Sequence, residues 1–137
     1  MGDSELTHYE VSASRLSPRR TRVDTGDAEF TVGKDVNPVE YFLGSVLGCL
    51  NSTGTMVARD MDIDIESLEA TVEGDVNYAS YRGEEAEDRP GLQGLEVTLA
   101  VETAGDADLD AWLASVKDRC PVTDNVENET GLAVSLE

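Results

Sequence analysis

Apolar residues follow a helical period through the middle of the first half of the chain and alternate with polar ones on either side of it. Phe42, Leu43, Val46, Leu47, Leu50, Val57 and Met61 share the helical period, which predicts one long helix over residues 39–60. Asn37 is its candidate N-cap, and Pro38 suits the first helical position because it has no N–H to lose there. At the standard rise such a helix is roughly 30 Å long, and its apolar content predicts a central place. Gly44, Gly48, Ser52 and Gly54 give it small faces on which neighbouring backbone can approach closely.

Before this helix, residues 6–13, 20–24 and 28–32 read as short strands separated by Ser17-Pro18 and Thr25-Gly26-Asp27. After it, residues 68–78 read as a strand and the charged stretch 82–91 as a surface loop. Leu95, Val97, Leu99 and Val101 give the cleanest alternation and predict another strand. Residues 106–119 carry Leu109, Trp112, Leu113 and Val116 on one helical stripe. A short helix is expected from Cys120 through Val126, and Leu132, Val134 and Leu136 predict a closing strand. The whole, residues 1–137, reads as one domain.

Charge then narrows the partners. Acidic residues number 29 against 10 basic ones, a formal net charge of -19, so nucleic acid is excluded for want of a basic face. Lys34 and Lys117 are the only lysines, and high acid with scarce lysine resembles adaptation to a salt-rich, halophilic cytoplasm. Disorder does not fit an apolar fraction of 39% that is so strongly patterned. There is no charged-then-apolar leader and no run near membrane-spanning length, so a cytoplasmic protein that does not enter a membrane is expected.

The candidate chemistry lies in the two cysteines. Cys49 sits inside the long apolar helix, and Cys120 precedes Pro121, which marks it as the cap of a helix whose positive end favours a thiolate. Two readings stay open: a nucleophile with a resolving partner, and two small buried hydrophobes. His8 reads as a surface residue of a strand, Asp62 and Asp64 as solvated, and Trp112 as core or as the wall of a cavity. Two cysteines and one histidine do not make a closed zinc site, so no metal is expected.

Taken together, Asn37-Pro38-Val39-Glu40-Tyr41-Phe42-Leu43-Gly44-Ser45-Val46-Leu47-Gly48-Cys49 and Cys120-Pro121-Val122-Thr123 resemble the two cysteine motifs of the OsmC/Ohr superfamily, the osmotically induced protein C and organic hydroperoxide resistance proteins. The order of elements agrees over nearly the whole chain. The resemblance implies an α+β protein of OsmC-like fold, antiparallel sheets with a long central helix, in an intertwined homodimer. It also implies a thiol peroxidase in which Cys49 attacks an organic hydroperoxide and Cys120 resolves the sulfenic acid as a disulfide. A dithiol reductant then restores both thiols, with no bound cofactor. Two positions depart from the family pattern: Val39 stands where peroxidases carry a glutamate, and Glu29 where OsmC members carry an arginine. Glu40 matches the Pro-Val-Glu of an OsmC-like branch, and Arg19, Arg20 and Arg22 are the candidates to supply the guanidinium. An apolar substrate pocket is expected from Phe42, Val46, Leu50 and Met56. The rivals are a redox or small-molecule-binding protein of the same fold without strong peroxidase activity, and a structural dimeric domain.

A chain this acidic repels itself at low salt. Thermal unfolding is therefore expected to shift upward as potassium or sodium chloride rises from about 0.01 M, where screening extends over about 30 Å, to molar values. A melting temperature that stays flat or falls over that series runs against the expectation.

Overall fold

The computed structural model describes residues 5–137 and divides into two compact units, one ending at Phe42 and the other Leu43–Glu137. The first holds a three-stranded antiparallel sheet in the order β1 (Ser12–Ser17), β2 (Arg20–Asp24), β3 (Glu29–Val32). The β2–β3 turn is closed by polar side chains. Asp24 Oδ1 accepts from the Gly26 amide at 2.7 Å, and Thr25 Oγ1 accepts from the Ala28 amide at 3.1 Å. After β3 the chain bends at Gly33, where φ is +90° and a Cβ would run into the Arg19 carbonyl. The first strand lies later than the pattern of residues 6–13 predicts. Pairing with β2 sets its limits, with Ala13 opposite Val23 and Arg15 opposite Thr21. Leu6, Tyr9 and Val11 are left exposed.

Helix α1 (Pro38–Asp60) begins as the sequence predicts. Asn37 Oδ1 accepts from the Glu40 amide at 2.9 Å and Glu40 Oε1 accepts from the Asn37 amide at 3.0 Å, a reciprocal capping box. The Tyr41 hydroxyl donates to the Thr31 carbonyl at 3.1 Å and its ring lies 5.9 Å from that of Phe30, which ties this first turn to β3.

The second unit carries the core. Strands β4 (Ile65–Gly74) and β5 (Leu95–Thr103) pair antiparallel, with Leu68 opposite Val101, Ala70 opposite Leu99 and Val72 opposite Val97. Their alternation turns Leu68, Leu95, Leu99 and Val101 toward the core. β4 ends before the predicted residue 78, because Asn77 caps a short helix α2 (Tyr78–Tyr81) by accepting from the Ala79 amide. Helix α3 (Leu109–Arg119) starts three residues inside the predicted span, since Asp108 is its N-cap and accepts from the Ala111 amide at 3.0 Å. Helix α4 (Pro121–Glu127) follows directly, with Cys120 as its N-cap residue.

Val46, Leu50, Val57 and Ala58 of α1 meet Trp112, Val116 and Cys120, all buried. Trp112 is therefore core. Its Nε1–H donates to the Gly54 carbonyl at 2.9 Å, and a Cβ at Gly54 would lie 2.7 Å from the ring. The closing strand does not form: Leu132, Val134 and Leu136 are 89%, 86% and 98% exposed and irregular. Alternation yields a strand only where a neighbouring edge accepts its hydrogen bonds, and no such pairing occurs among the described residues. Among those residues, no helix is long and apolar enough to cross a membrane.

Gly54→Ala is expected to destabilise the protein by about 1–3 kcal/mol through overpacking on Trp112. In a Trp112→Phe background, which removes the contacted edge of the indole, the same substitution should cost less. Urea unfolding of the double-mutant cycle measures this, and strict additivity would contradict the contact.

Candidate functional site

The buried stripe of α3 continues through its last turn: Trp112, Val116 and Cys120 are spaced by four. Pro121 cannot extend α3 with a backbone hydrogen bond, so the chain turns at Cys120, extended at φ -81° and ψ 114°, and restarts as α4. The Cys120 sulfur is thereby held inside the core, at 1% exposure, facing α1. On α1, Cys49 stands beside buried Leu50 at the edge of the stripe and is half-buried. The two Sγ atoms lie 3.1 Å apart as a hydrogen-bonded pair of free thiols. A disulfide bond is about 2.05 Å, so closure needs a movement of roughly 1 Å.

The two sulfurs have different surroundings. Burial pushes the Cys120 thiol up. The Thr123 hydroxyl and amide, the Cys49 thiol and the Val122 amide outweigh it and hold Cys120 below its ordinary value. The sulfur makes no full capping hydrogen bond to the helix amides, so proximity of these dipoles rather than one ideal bond carries the effect. Thr123 Oγ1 also reaches the Cys120 carbonyl at 3.3 Å. A Cys120 thiol donating to Cys49 and a Cys120 thiolate accepting from it are two protonation microstates of one pair. The contacts from Thr123 and Val122 favour the second. On the other side, Thr53 Oγ1 lies 3.8 Å from Cys49 Sγ.

A groove of about 410 Å³ opens in the same unit. Its apolar wall is Leu50, Leu95, Val97, Leu99 and Leu113, with Lys117, Thr123 and Glu127 as its polar members. Leu50 adjoins Cys49 in sequence and Thr123 contacts Cys120. Of the pocket residues the sequence suggests, Leu50 alone lines this groove. Val46 is sealed in the core at 1% exposure, Met56 is 43% exposed, and Phe42 belongs to the other unit.

The supporting candidates lie in the first unit. Glu40 is engaged in the capping box of α1. Arg22 pairs with Glu29 at 3.6 Å across β2 and β3, both exposed. Arg19, in the β1–β2 turn, and Arg20, at the start of β2, are exposed and form no ion pair among the described residues. Thr53 and Thr123 escaped the sequence reading. Their signal was spacing: a hydroxyl four residues after Cys49 and one three residues after a capping cysteine.

Fold and site together define an α+β protein with antiparallel sheets, a long helix and a dithiol joined across two helices. A family model described as OsmC-like protein matches residues 31–135, and the chain belongs to that family. Among solved structures it is similar to the OsmC-like protein of Mycoplasma pneumoniae, with a TM-score of 0.77 and 15% identity over 90% of this chain and 89% of that one. It is also similar to an organic hydroperoxide resistance protein OsmC of Legionella pneumophila, with a TM-score of 0.61 and 20% identity over 90% and 91%. The organic hydroperoxide resistance protein OhrB of Bacillus subtilis gives 0.57 and 18% over 91% and 94%. No curated protein sequence matches the chain.

Because Cys120 is held below its ordinary value, the native state is a thiolate where the unfolded chain is still a thiol. Its contribution to stability is full above the unfolded value, about 8.5, and is lost as pH falls through the lowered native one. Under reducing conditions the stability difference between wild type and Cys120→Ser should grow from pH 6 to pH 9. Chemical denaturation across that range measures it, and a difference independent of pH would contradict the stabilised thiolate.

Proposed function

We propose that the chain is a cysteine-based thiol peroxidase that reduces organic hydroperoxides, acting as one OsmC-like domain, residues 1–137, in a cytoplasmic homodimer. The observation that carries this reading is the 3.1 Å contact between a half-buried Cys49 and a buried Cys120. Cys49 is the less buried of the two, so it is read as the attacking thiol and Cys120 as the resolving one.

The chemistry balances with these two groups. The Cys49 proton passes to the Cys120 sulfur, and the Cys49 thiolate forms an S–O bond with the distal peroxide oxygen. The O–O bond breaks, and the alkoxide takes the proton held on the Cys120 sulfur to leave as the alcohol. Cys120, thereby returned to its thiolate, attacks the sulfur of the Cys49 sulfenic acid and expels hydroxide, which takes a proton from solvent to become water. A dithiol reductant then reduces the disulfide, and the stabilised Cys120 thiolate is the better leaving group. The mainly apolar groove lined by Leu50 and Thr123 supports an organic substrate. The alternating, fully exposed Leu132, Val134 and Leu136 support a second copy as the partner that covers them.

A redox or small-molecule-binding protein without strong peroxidase activity is the second reading. It is favoured by Val39 and Glu29 at the departing positions, with Glu29 paired to Arg22.

Stopped-flow loss of thiol separates the two. Each methylene buried in the groove contributes about 0.8 kcal/mol, so cumene or tert-butyl hydroperoxide should react roughly two orders of magnitude faster than hydrogen peroxide. Cys49→Ser should abolish turnover, whereas Cys120→Ser should complete one attack and accumulate over-oxidised Cys49, visible by intact-protein mass spectrometry. Equally slow reaction with all three peroxides would favour the second reading. Oxygen gained by Cys120 in the Cys49→Ser protein would reverse the roles.

A further inference from the structure

Three hydroxyl-bearing residues follow Cys49 on α1, and two of them turn back onto the helix. Ser52 Oγ donates to the Gly48 carbonyl at 3.1 Å and Thr55 Oγ1 to the Asn51 carbonyl at 2.9 Å, each four residues earlier. Thr53 departs from this habit. Its Oγ1 points instead at the sulfur four residues back, 3.8 Å from Cys49 Sγ. Thr53 is 4% exposed, a polar side chain in an otherwise apolar core. A hydroxyl in that position is costly unless it has a partner, and among the described residues the Cys49 sulfur is the one its side chain has.

We infer that Thr53 is a positioning residue for Cys49, donating its O–H to the Cys49 thiolate. It thereby favours the microstate in which the shared proton sits on Cys120 and the half-buried sulfur is free to attack. Thr53 acts on the nucleophile as Thr123 and the α4 amides act on its partner, and the balance between the two sets decides which sulfur carries the charge. A thiolate is a stronger acceptor than a thiol, so the contact tightens when the proton leaves Cys49. The consequence for turnover rests on the peroxidase reading, but the hydrogen bond itself does not.

The test uses the reduced full-length protein with Thr53→Val, which keeps the shape and removes the hydroxyl, and Thr53→Ser, which keeps the hydroxyl. Two rates are measured at neutral pH: single-turnover oxidation of Cys49 by cumene hydroperoxide, and its alkylation by iodoacetamide, with Cys49 followed by peptide mass spectrometry. Thr53→Val should slow both about tenfold, and Thr53→Ser should stay within about twofold of wild type. Thr53→Ala, expected to match the valine variant, serves if that variant does not fold. Wild-type rates in Thr53→Val overturn the inference. So does equal slowing in Thr53→Ser, which would assign the effect to packing, and so does slowed oxidation with unchanged alkylation, which would place the hydroxyl on the peroxide. Slowed alkylation with serine rescue in a protein inert to hydroperoxides sustains the Thr53 assignment and removes the peroxidase reading.

Discussion

The contact of the Trp112 indole with the bare backbone of Gly54 sets the separation of α1 and α3. The indole N–H satisfies itself on the Gly54 carbonyl, and the absent side chain lets the ring lie against the helix. Any Cβ there pushes α3 outward. Val116 and Cys120 follow Trp112 on the same stripe, so the position of the second sulfur depends on that one close approach. On the facing helix, Leu50 anchors the stripe and leaves Cys49 at its edge. The dithiol is thus a by-product of helix packing, fixed by rigid elements rather than by a loop.

Within the pair, asymmetry of surroundings matters more than the short distance. Cys120 is sealed from solvent and meets hydroxyl and amide dipoles at the start of α4. Cys49 is reachable and meets one buried hydroxyl. The two sulfurs lie 3.1 Å apart, so the pair couples a half-buried sulfur to a protected one.

The remaining surface is shaped by charge and by unmet pairing. A net charge of -19 repels like-charged copies unless salt screens it, while Leu6, Tyr9, Val11, Leu132, Val134 and Leu136 are exposed apolar side chains outside any strand.

Much was legible in the sequence because it is local. The start of α1 follows from Asn37, Pro38 and Glu40, whose capping box involves only neighbours, and Cys120 as a helix cap follows from Pro121. The alternation of β5 and the stripe of α3 likewise need no partner to be read. The tertiary structure decided the rest. The place of β1 depends on pairing with β2, and the pattern at Leu132, Val134 and Leu136 finds no edge among the described residues. The meeting of two sulfurs 71 residues apart could be expected from the family motifs, but only packing fixes their distance and their unequal exposure. Thr53 was invisible for the same reason: a threonine in a helix ordinarily bonds a carbonyl, and only the folded core buries its side chain and leaves its hydroxyl 3.8 Å from a sulfur.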